Sequence, residues 1–340
     1  MIEKIPKSLN ELNVYVADAE FVAEPGEMVD PVSWAIYDVR QDTMSVYSRD
    51  EVLNWRFLPF DTGPESVVVT FSARAESNFL ERLGLGSFRW WVDLQGEDRA
   101  RNNVILGKGD LMRIRKKRPT LAGANLYRSL VNVCRSHGIT DADLDEKEAV
   151  RQIIMDRVWE HDPSVWPRIL EYNASDVKLT WRLFQAMEPE LRIDAAIVRG
   201  TYTAIVGKME TRGLPFDVHS YRKMQQNYPV VLRDFIDRAD PHGVFLTPKG
   251  RVHEAALREY LDDRGLLATW PRTHTGHLRR KAWDFEQYRD RDPLMARIAD
   301  VQEVLRLFKE KREGGLYGPP IGRDSRARFG VWPLSTHTGR

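Results

Sequence analysis

Asp18-Ala19-Glu20, Glu76, and the pair Tyr172 and Asp176 are the residues of this chain whose types and spacing can do chemistry. In an extended chain, side chains two positions apart project to the same face, so Asp18 and Glu20 point together. They follow Asn13–Ala17 (NVYVA), a short β-branched and aromatic run that reads as a buried strand. Two carboxylates projecting from such a strand's end repel each other and resist desolvation unless a cation neutralises them. Glu76 closes Ser72-Ala73-Arg74-Ala75-Glu76, where a strand feeds the first turn of a helix. Tyr172 and Asp176 are four apart in Tyr172-Asn173-Ala174-Ser175-Asp176-Val177, which places them one turn apart on one helix face. Taken singly, each has a plain alternative: an acidic strand-to-loop junction, a packed aromatic, a solvated helix acid. As an ordered set they are far more specific.

The elements that must position these groups follow from periodicity. Val32–Val39 and Met44–Tyr47 read as two strands joined by a polar turn, and Ser66–Phe71 (SVVVTF) as another buried strand. Ala75–Leu83 reads as a helix and Phe88–Leu94 as a further strand. From Thr120 the pattern turns helical: Leu121–Cys134, Lys147–Glu160, and one or two helices over Pro163–Met187. Strands first and helices later imply a mixed sheet covered by helices over residues 1–190. Beyond Glu188-Pro189-Glu190 the chain reads as nearly all helix, with Asp194–Arg212, His219–Arg238, His253–Arg264 and Asp292–Arg312 as helices. Glycine, proline and arginine take over from Gly314.

The carboxylate set resembles the tyrosine-containing branch of the DEDD exonuclease superfamily, as found in A-family (DNA polymerase I-like) polymerases. Asp18 and Glu20 match its first motif, and Tyr172 and Asp176 its third. Glu76 stands where the second motif normally has Asp, and Ser72 where Asn usually precedes it by four residues. Asp93 resembles the Asp that commonly follows on the next strand and is the fallback ligand. The resemblance implies an α/β, ribonuclease H-like sheet and two divalent ions, Mg²⁺ or Mn²⁺. Two ions about 4 Å apart clamp the attacking and leaving oxygens of a phosphodiester during in-line displacement. By resemblance Asp18 bridges the metals, Glu20 and Asp176 complete the first site, Glu76 supports the second, and Tyr172 orients the attacking water. The implied activity is a 3′→5′ exonuclease acting on single-stranded DNA 3′ ends and primer-template.

Residues 191–340 resemble the opening part, thumb and start of palm, of the polymerase region of the same family. Lys208-Met209-Glu210-Thr211-Arg212-Gly213-Leu214-Pro215-Phe216-Asp217 is similar to the sequence that opens that region, and by itself is a helix end, a glycine stop and a proline turn. Trp270–Gly276 resembles a thumb-associated Thr-x-Thr-Gly segment. Gly322–Arg328 is similar to the strand before the primer-contacting part of the palm, with Arg323, Arg326 and Arg328 as DNA-contacting candidates. Thr338-Gly339-Arg340 matches the Thr-Gly-Arg motif, whose arginine approaches DNA. The palm aspartates and fingers helix of the family lie beyond that arginine. The expectation is therefore either a truncated polymerase or a split one whose palm and fingers are a separate chain, and in both cases a chain that does not extend a primer by itself. A non-catalytic DNA-binding fragment that joins such a chain is the competing reading. An RNA-trimming nuclease of the same superfamily is the third, and the motifs at Gly213–Asp217 and Thr338–Arg340 argue against it.

Composition bounds these readings without choosing among them. The 340 residues exceed one ordinary domain, and 42% hydrophobic residues with 10% aromatics suffice for real cores. Formal net charge is +1, which neither suggests nor excludes nucleic acid. Cys134 is the only cysteine, so no intramolecular disulfide and no all-cysteine zinc site is available, and a cytoplasmic setting without membrane contact is expected. Arg113–Arg118 (RIRKKR) reads either as a phosphate-tracking cluster or as a solvated loop.

Overall fold

The valine- and aromatic-rich runs of the first part of the chain form strands, as their alternation requires. The computed structural model describes residues 5–10, 12–102, 129–140, 144–307 and 319–331. Strands β1 (Asn13–Val22), β2 (Asp30–Asp38), β3 (Thr43–Ser48), β4 (Ser66–Thr70) and β5 (Trp90–Asp93) make one sheet in the order β3-β2-β1-β4-β5. β1 runs antiparallel to β2 and parallel to β4, and β5 continues parallel to β4. This mixed sheet flanked by helices is the α/β arrangement expected. Two strands depart from the expected bounds in ways that bear on the site. β1 does not stop at Ala17 but carries Asp18 and Glu20 within it, because its antiparallel pairing to β2 persists to Val22 opposite Asp30. The expected strand Phe88–Leu94 shortens to β5, since Leu94 already opens a helix.

Helices α1 (Arg49–Leu53), α2 (Ala73–Leu83), α3 (Leu94–Asn102), α4 (Leu130–Ser136), α5 (Leu144–Met155), α6 (Trp166–Met187) and α7 (Ile193–Arg212) accompany the sheet. The expected helix Leu121–Cys134 falls mostly outside the described residues, and α4 covers its end. The expected run Lys147–Glu160 breaks after Met155. Arg157 there adopts a left-handed backbone (φ 55°), and its guanidinium is held by Glu24, Asp30 and Glu160. Strand alternation divides the core into two faces. Val16, Val67, Val69 and Val92 cluster with Val177, Leu183, Phe184 and Met187 of α6. Tyr15, Ala17, Ala19, Val68 and Trp91 cluster with Phe79 and Leu80 of α2.

Compactness divides the chain at Pro215 and Pro320. The reason is α7, which packs on α2 and along β5, the outermost strand of the sheet. Gly200 of α7 lies so close to that strand's backbone that a Cβ there would sit 2.9 Å from the Asp93 amide nitrogen and collide with the Trp91 carbonyl. A helix so placed shields a strand edge that would otherwise offer unpaired backbone groups. β6 (Leu214–Pro215) then pairs antiparallel with β7 (Arg326–Ala327), bringing the residues after Pro320 back to the first unit. The second unit, Phe216–Pro319, is helical: α8 (Val218–Ala239), α9 (Glu254–Asp263), α10 (Ala282–Glu286) and α11 (Pro293–Leu307). Its core gathers Ile236, Leu257, Leu261, Trp270, Phe285 and Ile298. The expected helix Asp292–Arg312 is described as far as Leu307. Thr273–Gly276 is the tip of a turn closed by the Arg272–Leu278 bridge. Among the described residues, no helix is long and apolar enough to cross a membrane.

Gly200→Ala should therefore reverse the usual helix preference. Alanine normally stabilises a helix interior by about 1 kcal/mol over glycine, whereas overpacking against immobile backbone costs roughly 1–3 kcal/mol. A lower urea midpoint is expected. An unchanged or raised midpoint would mean that α7 can retreat from β5 at no cost.

Candidate metal centre

The strand parity that buries Val16 beneath α6 sends Asp18 and Glu20 to that same face. The β1–β4 register ends at Val16 opposite Val69, while β1–β2 pairing continues past both acids, with Asp18 opposite Ala35 and Glu20 opposite Ser33. Asp18 and Glu20 thus stand on the stretch of β1 that has a partner strand on one side only. α6 crosses this face, and its place is set by Asn173, fully buried, whose amide donates to the Ser33 hydroxyl at 2.9 Å. Ser33 is the residue opposite Glu20, so one hydrogen bond sets the helix against the acid-bearing strand. Asp176 follows one turn later at 9% exposure. Asp18, Glu20 and Asp176 each present a carboxylate oxygen such that all three lie within 4.8 Å of one another.

Convergence shows in the acids' proton affinities. Burial pushes the Asp18 carboxyl up to about 6, against the opposing pull of the nearby Lys147 ammonium. Burial, reinforced by the Asp18 charge, pushes Glu20 well above the usual carboxylate range. One Asp18 carboxylate oxygen (Oδ2) is buried with no hydrogen-bond partner. A set of three carboxylates with an orphaned buried oxygen fits a hard divalent cation, which takes oxygen ligands. Tyr172 lies partly buried beside the set, its hydroxyl made harder to ionise by burial and then by the Glu20 and Asp18 charges.

Glu76 does not join the three. It lies in the first turn of α2 as expected and is 2% exposed, with Oε2 unpartnered. Burial and then the Asp18 charge hold its carboxyl well above the ordinary range, so the triad's field reaches it. Asp93, the fallback, faces the other side of the sheet from Val92 and accepts the Gly96 amide at 2.9 Å, capping α3. Its carboxyl is committed to that helix end.

The arginines behave unequally. Arg323 is largely exposed and pairs with Glu27 at 3.2 Å. Arg326 donates to the Arg212 and Gly213 carbonyls. Arg328 is 7% exposed and spans the Thr211 and Gly26 carbonyls and both carboxylate oxygens of Asp324. Arg328 and Arg326 thus fasten the β6–β7 joint, and Arg323 alone of the three presents a largely solvated guanidinium. Arg340 and Arg113–Arg118 lie outside the described residues. Two residues of the site escaped sequence reasoning. Asn173 carries a signal in principle, being a polar residue on the inward face of an amphipathic helix. Lys147 does not, because a lysine heading an amphipathic run reads as a solvated one.

A carboxyl held near 6 rather than 3.8 disfavours the folded state by roughly 3 kcal/mol once ionised. Burial raises Asp93 in this way, and Asp18 likewise. For such groups the folded state binds the proton more tightly, so stability rises as pH falls through about 6 and levels off near 3.8. Depressed acids such as Asp30 and Asp61 oppose this only below their ordinary value of 3.8. Urea midpoints in EDTA should be higher at about pH 5 than at about pH 7.5. Asp93→Asn, which can still accept from Gly96, should stabilise at the higher pH and flatten the profile. A midpoint that climbs from pH 5 to 7.5 would contradict this assignment.

No protein-family model matches the chain, and no curated protein sequence matches it. Its fold is similar to the solved structure of the POL domain of Pol1 from M. smegmatis in complex with DNA primer-template and dNTP. The TM-score is 0.53 at 13% identity, and the likeness covers 98% of this chain and 51% of that one. The chain spans about half the length of that neighbour, and its architecture is that of a DNA polymerase-like fold.

Proposed function

We propose that the chain is a metal-dependent 3′→5′ exonuclease acting on DNA, within the framework of an A-family polymerase. The observation that carries this reading is the convergence of Asp18, Glu20 and Asp176 at one end of the sheet, beside Tyr172. The polymerase-like fold supports DNA as the substrate class. Bound Mg²⁺ or Mn²⁺ would supply Lewis-acid activation of water and stabilisation of the leaving oxygen. Asp18, Glu20 and Asp176 would hold the first ion, and Glu76, which feels the Asp18 charge, would contribute to the second. The chain's own part is then to orient and to exclude. Asn173 holds α6 so that Asp176 and the Tyr172 ring keep their places relative to Glu20. The Tyr172 hydroxyl stays protonated throughout the working pH range, so it serves as a hydrogen-bonding group that positions water and not as an anion.

Digestion of 3′-labelled single-stranded DNA in Mg²⁺ or Mn²⁺ tests the reading. Asp18→Ala should reduce release of the label to background while the metal-free protein keeps or gains thermal stability, because a carboxylate repulsion is removed. Near-full activity in that variant would sink the assignment. Tyr172→Phe keeps the ring and loses the hydroxyl, and should slow turnover by roughly 10²–10⁴-fold with little change in DNA binding. Unchanged turnover would reduce Tyr172 to a packing residue.

A further inference from the structure

Lys147 lies in the first turn of α5, the helix that packs on β1 and α6. Its side chain is 14% exposed, and its ammonium bonds Asp176 Oδ1 directly. The same nitrogen lies 5.1 Å from the centroid of the Tyr172 ring, the geometry of a cation–π contact. Asp18 and Glu20 both feel its charge, and it feels theirs. Lys147 is thus a positive charge shared by all three carboxylates of the triad and the tyrosine beside them, with Arg151 acting on Glu20 and Tyr172 as well. A buried cation within bonding distance of a metal ligand acts on a metal in two ways. It holds the oxygen the metal needs, and it repels the incoming ion with little screening by solvent or salt.

We propose that Lys147 is the resident counter-ion of the carboxylate triad, and that a divalent cation binds by displacing its ammonium from Asp176. The proposal rests on the metal-site reading of Asp18, Glu20 and Asp176. It makes Lys147 an affinity-setting residue: the site stays charge-compensated without metal, and fills only at cation concentrations that can outcompete an internal amine. Lysine suits the part because its charge is compact and its four-carbon stem can swing away without disturbing α5.

Mn²⁺ binding to the full chain, followed by loss of the free-ion electron paramagnetic signal, tests this apart from activity. Lys147→Met should tighten Mn²⁺ about tenfold, equivalent to roughly 1.4 kcal/mol, and Lys147→Arg should bind as the parent does. A second measurement needs no variant. Acetic anhydride labelling of Lys147, read by peptide mass spectrometry, should be several-fold faster with saturating Mn²⁺ than in EDTA, because the displaced amine becomes free. Binding by Lys147→Met that equals or falls below the parent's, or labelling that Mn²⁺ leaves unchanged or suppresses, overturns the inference alone. If neither the parent nor Lys147→Met binds Mn²⁺, the metal-site reading falls and takes the inference with it.

Discussion

Like charges brought together away from water are the constraint on which this molecule turns. Asp18, Glu20 and Asp176 converge from a strand and a helix, and their mutual repulsion opposes folding wherever they ionise. What surrounds them reads as compensation. Valines and aromatics fill both faces of the sheet, Asn173 ties α6 to β2, and Lys147 supplies a countercharge from a third element. No one of these elements has a reason to stand where it does without the others.

Legibility in the sequence followed the strength of the physical pattern. The buried strands were plain, because runs such as Ser66–Thr70 offer no helical alternative, and the face shared by Asp18 and Glu20 follows from strand parity alone. The one-turn spacing of Tyr172 and Asp176 placed both on α6. What did not follow was tertiary. Nothing local in Asp18-Ala19-Glu20 says that pairing with β2 carries β1 past the acids, since that depends on a partner strand elsewhere. Nothing in Glu188-Pro189-Glu190 says that the helix after it packs onto β5 through Gly200. Helix-compatible composition on both sides of a proline cannot tell a linker from a corner.

Arginine was the residue type that sequence served least well. Arg323, Arg326 and Arg328 lie within six positions and look alike on the page, yet one is solvated, one is spent on backbone carbonyls and one is buried against Asp324. A guanidinium carries five donors, enough to be either a surface charge or an internal brace, and only the local supply of acceptors decides. Burial of Arg328 is tolerable because Asp324, whose carboxyl it draws down to about 2, stays ionised beside it. Carbonyls of Thr211 and Gly26 take two more of its donors.

The Asn173–Ser33 hydrogen bond sets a limit on how this site can be altered. Successive helical residues are about 100° apart around the axis, so sliding α6 by one residue along β2 would not shift Asp176 slightly. It would turn the carboxylate away from β1 altogether, and strand an amide on a buried serine. Geometry at the centre is therefore quantised: it changes by exchanging side chains on a stationary backbone, and not by gradual movement of the helix. A protein built this way can acquire or lose a ligand in one step, but it has no path of small adjustments between those states.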